Sequence, residues 1–195
     1  MNTLSIDDLP RLAVPVVEYI AETKPDIVIG CDRGARLFSL AVHAMWRKTM
    51  EGAPFPTDDG AIHFARVSNS DGVNRRHLQE RVDDILDRYS PDPHLLFIDD
   101  ICHSGSASMT ARQVAGKRAK RISFATMHGN SDGVHAIGTN ELLHDPFSDN
   151  PAELGVQYTR GISAIESQIP RIQRTDEMRV NRAMLDAAVK HAEIA

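Results

Sequence analysis

The stretch LLFIDDICHSGSA, residues 95–107, places an apolar run before two adjacent acids, a glycine-containing loop rich in hydroxyl groups and the start of a helix. A short apolar run of this kind predicts a strand buried on both faces of a parallel sheet. Ligands of open α/β sheets collect beyond the carboxyl ends of the strands. The sequence therefore predicts a ligand site at Asp99 and Asp100, with an ordinary acidic turn as the alternative.

Strand and helix patterns alternate on both sides of this stretch. Runs typical of strands occupy residues 26–30, 61–67, 95–99 and 121–126. Apolar residues at helical spacing mark helices that begin near Leu9, Leu37, Leu78, Ala107 and Asp176. The alternation predicts an α/β fold, an open parallel sheet flanked by helices.

The chain after the last of these strands has a less regular pattern. Glycines and prolines from His128 to Tyr158 leave room for short strands near Ala136 and Val156. We therefore expect one domain over residues 1–195, with its core at about 22–128 and a small hood and a C-terminal helix at about 129–195.

Composition narrows the classes of function. The 195 residues are 42% hydrophobic and 25% charged, with a net charge of −5. A protein with this charge lacks the basic field that nucleic acids and anionic membranes attract. The chain shows neither a signal peptide pattern nor an apolar run long enough to span a membrane. These features favour small-molecule chemistry and a cytoplasmic location.

The residues after the predicted strand suit a phosphorylated sugar. Two neighbouring carboxylates can accept hydrogen bonds from vicinal hydroxyls, and their charge can stabilise an electron-deficient sugar carbon. The loop Ser104-Gly105-Ser106 leads into a helix, and the N–H groups at a helix start attract phosphate. Acids beside a phosphate site predict a ligand that carries both hydroxyls and phosphate.

This stretch, together with residues 26–41, resembles the phosphoribosyl pyrophosphate (PRPP) binding motif of type I phosphoribosyltransferases. The resemblance implies that fold, Mg²⁺ as the cofactor, PRPP and a nucleobase as ligands, and a homodimer. It also implies that Asp99 and Asp100 bind the ribose hydroxyls. The 5′-phosphate would lie against His103, Ser104, Gly105, Ser106, Ala107 and Ser108. Cys102 and His103 are unusual for the family, and Ala107 stands where a hydroxyl residue is common.

Further roles follow from the same resemblance. The pyrophosphate loop would use Asp32, Arg33, Gly34 and Arg36. We expect His103, beside the catalytic Asp99 and Asp100, to exchange a proton with the acceptor, unless it is an ordinary loop histidine. The segment 68–76 is the candidate for a mobile loop, in which Arg75 and Arg76 either reach pyrophosphate or begin a helix.

The predicted hood holds further candidate residues. Phe147 and Tyr158 could contact a nucleobase, and Asp145 could join Asp99 and Asp100 at a metal ion. The irregular spacing of His128, His135 and His144 favours ordinary loop histidines over a metal cluster.

Two functions from different classes remain open at this point. One is an Mg²⁺-dependent transferase that moves 5-phosphoribose from PRPP to a base, with a purine expected, and releases pyrophosphate. The other is a non-catalytic regulator that senses PRPP or a nucleotide, because one fold serves many functions. The two cysteines, Cys31 and Cys102, are expected to be reduced thiols, with a redox-sensitive pair as the alternative.

Overall fold

The computed structural model describes most of the chain. It covers residues 3–32, 34–57, 60–66, 72–89, 92–102, 106–130, 133–144, 156–159, 171–174 and 176–193, without the side chains of 32, 66, 72–77, 106, 156–159 and 171–178. The helices are α1 (Leu9–Thr23), α2 (Ala35–Thr49), α3 (Gly72–Leu86), α4 (Ser106–Ala115) and α5 (Asp176–His191). The strands are β1 (Ile27–Asp32), β2 (Ile62–Arg66), β3 (His94–Cys102), β4 (Arg121–Gly129), β5 (Ala136–Thr139), β6 (Val156–Thr159) and β7 (Arg171–Arg174).

Five strands form one parallel sheet in the order β2-β1-β3-β4-β5. The predicted fold class, an open parallel sheet flanked by helices, is confirmed. The remaining strands, β6 and β7, pair with each other in antiparallel orientation.

The first helix shows why these residues form these elements. Ser5 donates from its backbone N–H and its hydroxyl to Asp8 Oδ2, at 2.9 and 2.8 Å, and so fixes the turn from which α1 starts. The helix ends at Thr23 and is capped by Lys24, whose φ of 46° is left-handed, just before Pro25. Proline cannot continue a helix, so the chain turns there into β1.

Helices cover both faces of the sheet. On one face, α1, α2 and α5 pack against Val28, Leu96 and Ile98 of the strands. On the other face, α3 and α4 pack against Ile29 and Phe97. Strand residues alternate between these faces, so β1 and β3 must be apolar on both sides, as their sequences are. Among the described helices, none is long and apolar enough to cross a membrane.

Three details differ from the sequence-based expectations. Strand β3 continues past residue 99 to Cys102, and β4 continues past 126 to Gly129, because the two strands pair over this extra length. Helix α3 already begins at Gly72, so residues 72–76 of the expected mobile loop are helical. Strand β5 falls in the segment assigned to the hood, yet it pairs with β4 as the edge of the central sheet.

Candidate functional site

The acid pair lies at the carboxyl edge of the sheet, where β3 loses one neighbour. Strand β1 pairs with β3 as far as Gly30 and Ile98, whereas β4 stays paired as far as Cys102 and Gly129. The pair therefore sits inside the last part of β3 and not in the turn after it. The acid pair thus lies at the carboxyl ends of the strands, where open α/β sheets bind their ligands.

Asp99 and Asp100 occupy successive positions of an extended strand and so start from opposite faces of the sheet. Asp100 is only 7% exposed, and Asp99 is half-buried. The Asp100 N–H donates to Asp99 Oδ1 at 3.0 Å, and the Ile101 N–H donates to Asp100 Oδ1 at 2.9 Å. Both carboxyl groups are thus held against the local backbone.

The charge of Asp100 acts on the neighbouring Asp99. Burial raises the pKa of Asp99 well above its ordinary value, and the negative charge of Asp100 and a side-chain hydrogen bond between the two carboxyls raise it further. Two carboxylates this close resist simultaneous ionisation, so they favour a shared proton, a cation or hydroxyl donors between them.

The candidate phosphate-binding residues, 103–108, come immediately after β3. Helix α4 begins at Ser106, and three residues separate it from Cys102, the last residue of β3. Ala107 and Ser108 are half-buried in its first turn. His103, Ser104 and Gly105 lie outside the described residues, as does the side chain of Ser106. The helix start is therefore adjacent in sequence to the acid pair, as the motif requires.

The expected pyrophosphate loop joins β1 to α2. The backbone of Asp32 ends β1, Gly34 immediately precedes α2, and Arg33 and the side chain of Asp32 lie outside the described part. Arg36 is 9% exposed, and its guanidinium carbon lies 4.1 Å from the centre of the Phe64 ring. A buried cation–π contact of this kind anchors the start of α2 on β2.

Sequence reasoning missed two residues beside the acid pair. Thr126 is in register with Asp99, and His128 with Ile101, so both share the Asp99 face of the sheet. Thr126 is 4% exposed, and its hydroxyl has no hydrogen-bond partner among the residues that the structure describes. His128 is buried, and its Nδ1 accepts from the Leu143 N–H at 3.3 Å. The sequence offers one signal for these two residues: they are two positions apart at the end of β4, and alternate residues of a strand face the same side of the sheet.

The three histidines do not come together. His128 lies within β4 and not in a loop, which corrects the sequence-based interpretation. His135, just before β5, accepts from the Phe124 N–H through its Nδ1 at 3.1 Å. His144 forms an isolated bridge with Thr3. Within the described ranges, no group of three or more His, Cys, Asp or Glu side chains could hold a metal ion.

Other sequence candidates are resolved only in part. Asp145 and Phe147 lie outside the described residues. Tyr158 belongs to β6, and Arg75 and Arg76 to α3, but their side chains are not described. The helical alternative for the two arginines is therefore the one that the backbone adopts.

The two cysteines are buried free thiols. Gly30 of β1 is in register with Ile98 of β3. Cys31 lies one residue beyond this pair and Cys102 four residues beyond it, so the two cysteines are offset by three residues, or about 10 Å along the strands. A disulfide spans Cα atoms up to about 7 Å apart, so direct pairing would need a backbone shift.

Comparison with known proteins gives matches among solved structures alone. No family model matches the chain, and no curated protein does. A purine phosphoribosyltransferase from Pyrococcus horikoshii Ot3 is 17% identical, with 73% of this chain and 83% of that chain covered and a TM-score of 0.45. An HGPRT-ase from Leishmania tarentolae in complex with GMP is 13% identical, with 75% and 79% covered and a TM-score of 0.47. The solved structures named here, to which this chain is similar, are thus purine phosphoribosyltransferases.

Proposed function

We propose that this chain is a phosphoribosyltransferase that transfers 5-phosphoribose from PRPP to a nucleobase and releases pyrophosphate, with a purine as the expected acceptor. One observation carries the proposal. Strand β3 brings two adjacent carboxyl groups, Asp99 and Asp100, to the carboxyl edge of a parallel sheet, and α4 starts after three further residues. Hydroxyl and phosphate recognition therefore adjoin each other.

In this proposal the acid pair binds and stabilises the ribose. The carboxylates of Asp99 and Asp100 accept hydrogen bonds from the 2′- and 3′-hydroxyls. These hydroxyl donors offset the repulsion between the two negative charges. As the bond from C1′ to pyrophosphate breaks, positive charge develops on the sugar. The same carboxylates stabilise that charge from fixed positions, because their backbone hydrogen bonds already orient them.

The start of α4 holds the other end of the sugar. Its N–H groups and the positive end of its dipole favour a phosphate at residues 103–108. This backbone cradle does not depend on the side chain at Ala107, which lacks a hydroxyl. In the proposal His103 exchanges a proton with the acceptor base.

Magnesium fits this site as a shared ion. Asp99 and Asp100 supply the oxygen ligands that Mg²⁺ prefers, but the described residues offer no third ligand of the His, Cys, Asp or Glu type. Mg²⁺ commonly binds one or two carboxylates and completes its shell with water and substrate phosphates. Asp99 and Asp100, with Asp145 as a further candidate, would hold the ion, and bound Mg²⁺ would neutralise charge on the departing diphosphate.

The loop between β1 and α2 would receive the diphosphate. Backbone N–H groups at Arg33 and Gly34, with Asp32 as a flanking acid, form the proposed cradle. Arg36 supports this loop through its contact with Phe64 and adds positive charge near the same edge. Phe147 and Tyr158 are the proposed contacts of the nucleobase.

The proposal is tested by following pyrophosphate release from PRPP and Mg²⁺ with a panel of purine and pyrimidine bases. We expect turnover with a purine, and we expect Asp100→Asn to lower PRPP affinity or turnover about tenfold or more, since charge-assisted hydrogen bonds are lost. Asp92→Asn is the matched control. It removes the same charge just before β3, at an exposed position whose φ of 58° asparagine tolerates.

Each outcome has a distinct meaning. PRPP binding without turnover on any base would replace the transferase with the regulatory alternative, a sensor of PRPP or nucleotides. Absence of PRPP binding, or equal effects of Asp100→Asn and Asp92→Asn, would contradict a ribose site at the acid pair.

A further inference from the structure

Helices α2 and α5 enclose a cavity that lies apart from the candidate functional site. Its volume is about 410 Å³, which falls within the range of roughly 300–1,000 Å³ for small-molecule sites. Arg36, beside the proposed pyrophosphate loop, and Arg47, at the cavity, are both on α2 and are separated by about 17 Å along the helix axis. The residues that line this α2–α5 cavity are Ala44, Arg47, Lys48, Asp186, Val189 and Lys190.

Basic side chains outnumber acidic ones around the α2–α5 cavity. Arg47, Lys48 and Lys190 carry positive charge, and Asp186 is the one carboxylate among the lining residues. The whole chain has a net charge of −5, so this excess of positive charge is a local feature. A concave site with such an excess attracts anions.

A further arginine, Arg182 of α5, adds to this charge. Burial lowers the pKa of His43 on α2, and the positive charges of Arg47 and Arg182 lower it further. The two guanidinium groups therefore lie close to the same imidazole, one on each helix. The other charged side chains that the structure describes on α5 and just after it do not line the cavity; they are Arg179, His191 and Glu193.

Capping of the helix end explains Lys48 but not Arg47 and Lys190. Cations near a helix C-terminus bind its last carbonyl groups and offset its dipole. Lys48 already donates to the carbonyl oxygens of Val189, Lys190 and Ala192. Arg47 and Lys190 are exposed, and neither side chain forms an ion pair within the described part of the chain. Both are thus available to an anion.

The deeper part of the cavity is apolar. Val189 is 8% exposed and Ala44 is half-buried, whereas Asp186 is exposed. An inorganic anion gains nothing from the two apolar residues and is repelled by the carboxylate. A ring packs on apolar residues, and a carboxylate accepts hydrogen bonds from hydroxyls. The lining therefore suits a ligand that combines a phosphate, a ring and hydroxyl groups.

We propose that the α2–α5 cavity binds a nucleoside monophosphate. The phosphate contacts Arg47 and Lys190, which supply charge-assisted hydrogen bonds. The base lies on Ala44 and Val189, and the ribose hydroxyls donate to Asp186. The inference is independent of the proposed function, because none of these residues belongs to the acid pair or to the two loops at the carboxyl edge of the sheet.

Methyl NMR of protein labelled at alanine and valine tests the site. Titration with AMP, GMP, CMP and UMP at low ionic strength should shift the methyl signals of Ala44 and Val189, with saturation below about 1 mM for at least one of them. Adenosine and inorganic phosphate should bind about tenfold more weakly or less, because each lacks part of the ligand. The Ala107 methyl reports on the candidate functional site. A shift of Ala107 alone, or no shift with any nucleotide, would overturn the α2–α5 site without touching the proposed function.

Paired substitutions test the phosphate contacts. The double variant Arg47→Met, Lys190→Met should weaken binding of the nucleotide at the α2–α5 cavity about tenfold or more, since two charge-assisted hydrogen bonds are lost. Arg11→Met, Lys120→Met is the matched control, because it removes an exposed arginine and an exposed lysine elsewhere. Equal affinities in the two double variants would overturn the proposal.

A ligand without ribose hydroxyls tests the contact with Asp186. The 2′,3′-dideoxy form of the tightest nucleotide should bind wild-type protein about fivefold more weakly than the nucleotide itself, since its hydrogen bonds to the carboxylate are lost. In Asp186→Ala the two ligands should bind equally. A fivefold difference that persists in Asp186→Ala, or no difference in the wild type, would overturn the placement of the ribose and with it the nucleoside class of the ligand.

Discussion

Asp99 carries a carboxyl group that folding partly removes from water and places beside a second carboxyl. Its pKa is raised for both reasons, so the folded state binds the proton more tightly than the unfolded state does. Stability is therefore lost as the pH rises above the ordinary range of aspartate. Asp99→Asn removes this charge, and we expect it to increase the free energy of unfolding by about 1 kcal/mol near pH 8.

Urea denaturation at several pH values measures this effect. The gain should disappear as the pH falls to about 3, where the carboxyl is protonated in both states. Asp92→Asn, at an exposed turn, should change stability by less than about 0.5 kcal/mol at any pH. A loss of stability in Asp99→Asn near pH 8 would contradict this expectation. It would show that favourable contacts of the Asp99 carboxylate outweigh the unfavourable effect of its burial.

Two buried hydroxyls of β4 differ in their hydrogen bonding. Ser123 Oγ accepts from the Tyr19 hydroxyl at 2.9 Å and lies 2.8 Å from His94 Nε2. The Thr126 hydroxyl, in contrast, has no hydrogen-bond partner within the described part of the chain. Removing a bonded buried group leaves its partners unsatisfied. We expect Ser123→Ala to destabilise the protein by about 1–3 kcal/mol, and Thr126→Val to leave it unchanged or more stable. Equal losses in urea denaturation would contradict this distinction.

At the scale of elements, local patterns located the strands and helices better than their ends. The apolar run of β3 stops at Ile98, but the strand continues to Cys102 because β4 provides hydrogen bonds over that length. The acid pair was predictable, since one short segment contains both acids and the loop after them. Thr126 was not, because its place beside Asp99 depends on the register between two strands, which no local pattern encodes.

Lysine 48 connects α2 to the C-terminal end of α5. Its ammonium group donates to the carbonyl oxygens of Val189, Lys190 and Ala192 at 2.6, 3.2 and 2.5 Å. The last carbonyls of a helix lack partners within the helix, and a cation there also offsets the helix dipole. Lys48→Met keeps most of the apolar stem but removes these bonds.

We expect hydrogen exchange of the amides at the C-terminal end of α5 to accelerate about tenfold in Lys48→Met, a change of about 1.4 kcal/mol in local stability. Arg47→Met is the control, because the neighbouring Arg47 is exposed. Unchanged exchange in the C-terminal peptide would mean that packing of Leu185 and Val189 alone holds the helix end.

For the whole molecule, the alternation of patterns predicted the layers but not every strand of the sheet. Helices on both faces followed from strands that are apolar on both sides. The sequence pattern assigns β5 to the hood because its four residues, Ala136–Thr139, carry a weak strand signal. It joins the sheet through its pairing with β4, from Ala125 and Ala136 onward. Such an edge strand is specified by a neighbour and not by its own composition.

The histidines give the molecule a second pH dependence, opposite in sign to that of Asp99. Burial is the largest cause that lowers the pKa of His43, His94 and His135, and nearby arginines lower it further. The unfolded chain therefore binds more protons below about pH 6.5, and stability is lost as the pH falls through that range. In the wild type the raised pKa of Asp99 opposes this slope.

The Asp99→Asn background separates the two effects. In it, we expect the free energy of unfolding to fall steadily as the pH is lowered from about 7.5 to about 5.5. Adding His94→Gln, at the start of β3, should flatten that slope, since Gln can still bond Ser123 Oγ but does not titrate. A slope that is flat before His94 is changed would show that folding does not lower the pKa of these three imidazoles.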